Sequence, residues 1–132
     1  MKKGITFGTF DLCHAGHMLM FKEAKEQCDY LIVGLHSDPS LERPRKNKPI
    51  MSLAERKIIL EGIKYIDEIV TYDLEEDLID ILVDYKPDVR IIGADWKNKH
   101  FTGFELPIET YYNTRGHGYS STELRERIKH AK

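Results

Sequence analysis

Phe7-Gly8-Thr9-Phe10-Asp11-Leu12-Cys13-His14-Ala15-Gly16-His17 decides the fold, because it joins two regular stretches through a turn that carries glycine. Before it, Lys3 to Gly8 is an apolar run of strand length. After it, His17 to Gln27 places Met18, Phe21 and Ala24 on one helical stripe. A strand that turns sharply into a helix is a place to hold an anion. Gly8 and Gly16 let backbone approach a ligand closely, and a helix starting near His17 presents unpaired N–H groups and a partial positive charge. His14 and His17, three residues apart, add neutral or cationic donors suited to charge that builds on a phosphoryl group.

The same alternation continues along the chain. Tyr30 to Leu35 is a second buried strand, and a polar, basic loop runs from Arg43 to Lys48 and closes at Pro49. Ser52-Leu53-Ala54-Glu55 is a capping box that opens a helix through about Gly62. Ile66 to Tyr72 reads as strand, Asp73 to Asp84 as a helix ending before Pro87, and Val89 to Ile92 as strand. Pro107 to Tyr112 reads as a fifth strand, and Ser120-Ser121-Thr122-Glu123 is a second capping box for a last helix to about His130. Strands alternating with helices predict right-handed crossovers and a doubly wound parallel α/β sheet covered on both faces. Ligands of such sheets sit beyond the carboxyl ends of the strands. Thr9 to His17, His36 to Asp38, Gly93 to Trp96 and Arg115 to Ser121 would all meet there.

The 132 residues are expected to form one domain, 1–132, able to bury about two-thirds of the unfolded surface. Charged residues make up 32% of the chain and its net charge is −2, so nothing points to a nucleic acid partner. Cys13 and Cys28 are too few for a disulfide framework, and no leader or long apolar span is visible, so a cytoplasmic setting without a membrane partner is expected.

Each motif has a plain alternative. His14 and His17 on one helix face could suit zinc, but no Cys or His partner stands at ligand spacing, and no residue is assigned to a metal. A helix cap beside a solvated imidazole is the other alternative. Cys13 lacks an orienting third group and is not expected to be a nucleophile. Arg115-Gly116-His117-Gly118-Tyr119-Ser120-Ser121-Thr122 offers a forked cation and a helix start to the same anion, or is an ordinary loop with a cap. Lys46 and Lys48 are the members of the basic loop chosen as phosphate contacts. Asp95 and Trp96, after Gly93 at a strand end, can read a base edge or form a turn with an aromatic lid. Asp38 invites a role toward ribose or acceptor. His100 and His117 are left without a role.

With these motifs in hand, the chain resembles the glycerol-3-phosphate cytidylyltransferase family, a branch of the His-x-Gly-His nucleotidyltransferases. The resemblance runs through Gly8-Thr9-Phe10-Asp11, His14-Ala15-Gly16-His17, Ser52 to Arg56, Tyr65-Ile66-Asp67-Glu68, Gly93 to Trp96 and Arg115 to Thr122. It implies a Rossmann-like nucleotidyltransferase sandwich that joins CTP to a small phosphorylated acceptor and releases pyrophosphate, working as a homodimer with Mg2+ carried by the nucleotide. Catalysis would fall to His14, His17, Arg115 and Ser120. Nucleotide contacts would come from Phe7, Gly8, Thr9, Phe10, Gly16, Gly93, Asp95, Trp96, Arg115, Tyr119, Ser120 and Ser121, and acceptor or phosphate contacts from Asp11, Asp38, Lys46, Lys48 and Lys64. The product would be a CDP-activated precursor for cell-surface polymer or capsule synthesis. Adenylyl transfer on the same scaffold and a nucleotide-binding regulatory module without turnover are the alternatives. Gly116, Tyr119 and Ser121 depart from the family's Arg-Thr-x-Gly-Ile-Ser-Thr-Thr pattern, Lys64 replaces an Arg, and Lys97 to Tyr112 has no match. The last two departures predict an acceptor that differs from glycerol 3-phosphate in its non-phosphate part.

Overall fold

The computed structural model describes residues 1–114 and 116–131. Five strands, β1 (Lys3–Gly8), β2 (Tyr30–His36), β3 (Glu68–Tyr72), β4 (Val89–Ile92) and β5 (Glu109–Tyr112), form one parallel sheet in the order β3-β2-β1-β4-β5. Among the described residues three α-helices cover it, α1 (Ala15–Glu26), α2 (Leu53–Glu61) and α3 (Asp77–Tyr85), and a fourth, α4 (Ser121–Lys129), has no buried residue and is tied to the β1–α1 turn through Arg125 and Asp11. This is the doubly wound parallel α/β fold expected from the alternation. The strand order reverses between β1 and β4, and a sheet of this kind opens a crevice at that point.

The pleat explains which residues fill the core. On β2, Leu31, Val33 and Leu35 face the layer that holds Phe21, Ala24 and Leu60, while Ile32 faces Leu78, Ile81 and Leu82 of α3 together with Ile5. Both faces are covered, so the strands read as near-continuous apolar runs rather than as alternation. Truncating any of these fully buried Leu or Ile side chains to Ala would cost about 2–5 kcal/mol.

The element bounds differ from the sequence expectation where side chains capture the backbone. α1 begins at Ala15, two residues early, because the His14 imidazole serves as its N-cap. β3 begins at Glu68 rather than Ile66, since Ile63–Ile66 closes a turn and Asp67 N–H then donates to Leu31 O at 2.9 Å. α3 begins at Asp77 rather than Asp73, because the Asp77 and Glu42 carboxylates take the N–H groups of Leu74 and Glu75 at 3.0 and 2.8 Å. β5 begins at Glu109, beyond Pro107, which has no N–H to give a ladder. The capping box of α2 is complete, with Glu55 N–H donating to Ser52 Oγ and Ser52 N–H to Glu55 Oε1. That of α4 is half made: Glu123 N–H donates to Ser120 Oγ, but the Glu123 carboxylate turns instead toward Arg127. Among the described residues no helix is long and apolar enough to cross a membrane.

Candidate active site

The turn between β1 and α1 is held by its two imidazoles acting on each other's backbone. Gly16 N–H donates to His14 Nδ1 at 3.0 Å, and His14 N–H donates to His17 Nδ1 at 3.1 Å, a capping box built from histidines. The rings lie 4.1 Å apart, centroid to centroid. With both Nδ1 atoms accepting, the neutral form of each ring carries its proton on Nε2. Burial, reinforced by the His14 imidazole and opposed by Asp11, pulls the His17 pKa down to about 4. At neutral pH His17 is therefore a neutral N–H donor. Burial also pushes the Cys13 thiol up, which disfavours the thiolate and agrees with its having no nucleophilic role.

These rings line a cavity of about 480 Å³ together with Gly16, Glu23, Gly93, Asp95, Asn113, His117, Tyr119, Ser120 and Ser121. Three separate segments thus converge at the switch point, and His36, expected with them, lines a different cavity. The approach is close: a Cβ at Gly16 would lie 2.8 Å from His14 Cε1 and 3.0 Å from His117 Cε1, so glycine is what allows the first motif to meet the last loop. His117, which sequence reasoning left without a role, takes the Tyr119 N–H on Nδ1 at 3.1 Å and stacks on the Tyr119 ring. Ser120 Oγ accepts the helix N–H and keeps a hydroxyl proton to donate. Arg115, expected as the phosphate fork of this loop, lies outside the described residues.

A second cavity of about 400 Å³ opens on the α3 side of the same sheet edge. Phe7, Gly8, Thr9 and Trp96, expected at the nucleotide, line this one, along with Lys46, Arg43, His36, Tyr72, Glu75, Arg90, Phe101 and Thr102. Lys46 is where an acceptor contact was expected. Lys48 is exposed and near enough to Asp38 to help lower that carboxyl's pKa.

Several expected contacts are otherwise engaged. Phe10 is a core residue: it packs on Phe21 at 5.0 Å between centroids, and its φ of 51° is what folds the ring inward. The Asp11 carboxylate is a bracket rather than a ligand contact, accepting from Ile50 N–H (2.8 Å), Met51 N–H (3.0 Å) and Arg125 Nη2 (3.1 Å). Asp38 caps the short turn Pro39–Leu41 through Ser40 N–H and Oγ at 2.9 and 2.6 Å. Lys64 precedes β3 and lies over the Tyr65 ring, at the amino edge of the sheet and so at the opposite end from both cavities.

Two organising residues were not found from the sequence. Arg56, 2% exposed, reaches from α2 to the carbonyl ends of β1 and β2, donating to Thr9 O, His36 O, Ser37 O and Met51 O at 3.0, 2.7, 2.5 and 3.1 Å. The only available signal was a charged residue directly behind the Ser52 capping box. Glu23 of α1 accepts from Tyr111 OH (2.7 Å) and from Thr114 N–H (2.9 Å), tying α1 to the start of the last loop. In the sequence it looks like any solvated helix carboxylate.

A model of the cytidylyltransferase-like family matches residues 5–127. The chain is 38% identical to the glycerol-3-phosphate cytidylyltransferase of Bacillus subtilis (strain 168), over 97% of this chain and 98% of that protein. It is 39% identical to the bifunctional protein HldE of Helicobacter pylori (strain G27), over 94% of this chain but only 27% of that longer protein. Among solved structures, the lipopolysaccharide core biosynthesis protein of Thermoplasma volcanium GSS1 shares the fold, with a TM-score of 0.73 at 24% identity over 91% of this chain and 99% of that one.

Proposed function

The chain belongs to the cytidylyltransferase-like family and is a CTP-dependent nucleotidyltransferase, and from that premise we propose that it transfers CMP from CTP to a small phosphorylated acceptor with release of pyrophosphate. The observation that carries this reading is the pair of cavities that meet at the Gly8–His17 turn. CTP occupies the larger one, its phosphates at the start of α1 and α4 and its base toward Gly93 and Asp95. The acceptor occupies the smaller one, with its phosphate at Lys46 near the rim. An acceptor phosphate oxygen at the rim attacks the α-phosphorus in line, and pyrophosphate leaves toward the Gly116–Ser121 loop. No covalent enzyme intermediate is needed.

The chain contributes position and charge. His14 and His17 donate from Nε2 to the equatorial oxygens as negative charge grows on them, each worth on the order of 10² to 10³ in rate. Ser120 Oγ–H and the amide start of α4 hold the leaving phosphates. Because His17 is held neutral, it acts as a donor and needs no proton of its own to be lost. Among the described residues no three His, Cys, Asp or Glu side chains cluster as a metal cage. Mg2+ in this reading would arrive with the triphosphate and would supply charge neutralisation there. A homodimer, a cytoplasmic setting, a single domain over 1–132 and a CDP-activated product used in cell-surface polymer or capsule synthesis belong to the same reading, supported by the family resemblance.

A pyrophosphate-release screen of the four nucleoside triphosphates against phosphorylated alcohols, sugars and amino-acid derivatives tests it. Turnover with CTP and a phosphomonoester is expected. Turnover confined to ATP would make the chain an adenylyltransferase, and tight nucleotide binding without release under any pairing would make it a regulatory module.

A further inference from the structure

Arg90 sits where a parallel sheet rarely keeps a charge, in the middle of β4, 6% exposed. Its guanidinium lies between two aromatic rings, 5.2 Å from the centroid of Phe7 and 4.8 Å from that of Phe101, and its Nη1 donates to Thr102 O. Its Nε is buried with no hydrogen-bond partner, and among the described residues no carboxylate lies within 4.0 Å of the group. Burying a cation without a counter-ion is costly, and the two ring faces offset only part of that. The nearest acid in the cavity, Glu75, is already engaged by Arg43 at 3.4 Å and by Thr102 Oγ1 at 3.0 Å. Burial pulls the Arg90 pKa down to about 10, still well above neutrality, so the charge is present when substrate arrives.

The position of this cation within the cavity indicates which part of a ligand it meets. Arg90 pairs with Ile5, three residues short of the sheet's carboxyl edge at Gly8, whereas Lys46 stands at the exposed mouth. A ligand whose phosphate is at the rim therefore directs its other end toward Arg90. The walls around that end, Phe101 and Thr102, come from the stretch that departs from the family pattern. With Nη1 given to Thr102 and Nε left without a partner, the guanidinium keeps N–H groups to donate, and the natural complement of such a planar cation is a carboxylate, which accepts two parallel N–H bonds.

We infer that Arg90 is the acceptor-specificity residue of the second cavity and that the acceptor it selects carries a carboxylate at the end opposite its phosphomonoester. The inference rests on the second cavity being the acceptor's. It adds the chemical class of that acceptor and the residue that reads it.

Two commercially available phosphomonoesters differ only in this feature: 3-phosphoglycerate has a carboxylate where glycerol 3-phosphate has a hydroxymethyl group. With CTP, Mg2+ and the full chain, kcat/KM from pyrophosphate release is expected to favour 3-phosphoglycerate by tenfold or more. Arg90→Leu should bring the ratio close to one, and Arg90→Lys, which keeps charge but loses the fork, should fall between. Calorimetric CTP affinity within threefold of the parent shows that the Leu variant is folded. Equal rates or a preference for glycerol 3-phosphate in the parent chain overturns the assignment, as does a Leu variant that slows both acceptors alike. If neither acceptor gives pyrophosphate, the transfer reading is what fails. The Arg90 assignment is then decided by direct titration of 3-phosphoglycerate into the parent chain and Arg90→Leu: binding lost in the variant sustains it, and no binding to the parent overturns it.

Discussion

Replacing His17 by Asn separates two roles of one ring. The imidazole's Nδ1 holds the turn by accepting His14 N–H at 3.1 Å, while its Nε2–H is the donor assigned to the reacting phosphate. An Asn side chain can place its amide oxygen near the Nδ1 position but extends no donor as far as Nε2. His17→Asn should therefore keep the start of α1 and lose the rate contribution, with kcat down by on the order of 10² to 10³, which is about 3–4 kcal/mol of transition-state stabilisation. His17→Ala should lose the same rate and also the cap, about 1 kcal/mol of stability, or a melting temperature lower by about 4 °C. CTP affinity should stay within about tenfold of the parent in both, since the ring acts mainly on charge that is absent from the ground state. Single-turnover kinetics, calorimetric CTP titration and thermal melts read the three quantities. Parental kcat in the Asn variant would refute the reasoning, because the remaining function of the ring would then be the cap alone.

The pH dependence of stability carries the same residue's signature. His17 titrates at about 4 when folded against 6.5 for the unfolded chain, so between those values the unfolded state binds more protons, and stability rises with pH across that window. The gap corresponds to about 3 kcal/mol, and urea melts at pH 4.5 and 7 should show the slope flattened in His17→Asn. Asp11→Ala, which strands the N–H groups of Ile50 and Met51 and the Arg125 guanidinium, should cost about 2–4 kcal/mol in the same melts. Arg56→Met, leaving four backbone carbonyls without their donor, should cost at least as much, and an unchanged denaturation midpoint would remove it as the organiser of the strand ends. Arg115→Lys should weaken CTP binding about tenfold although charge is kept, because an ammonium cannot fork two phosphate oxygens; equal affinity in titration would make that loop a structural turn.

Local pattern was enough for the elements and for the first motif. β1 and β4 fall where apolar runs of strand length placed them, and the Ser52 capping box starts α2 where its hydroxyl and carboxylate can satisfy each other's N–H groups, because these features depend only on residues a few positions apart. Periodicity likewise indicated a parallel sheet with its chemistry at one edge. It left undecided whether an imidazole caps α1, one of the alternatives raised for this pair, since a histidine before a helix has the same spacing whether its Nδ1 turns inward or outward. Nor did it separate Asp11 and Asp38, which are consumed by backbone N–H groups, from side chains that face a cavity.

What the sequence determined by itself was the class of fold and the presence of a glycine-bearing strand–helix turn, because backbone hydrogen bonding and burial make both local. The strand order β3-β2-β1-β4-β5 determined the rest. It set Lys64 at the wrong end of the sheet and divided the expected nucleotide contacts between two cavities. It also carried Arg56 to the ends of β1 and β2, and brought Arg90 under residues 101–102 as a cation without a counter-ion. Those outcomes depend on which segments distant in sequence become neighbours, and only the packing of the sheet decides that.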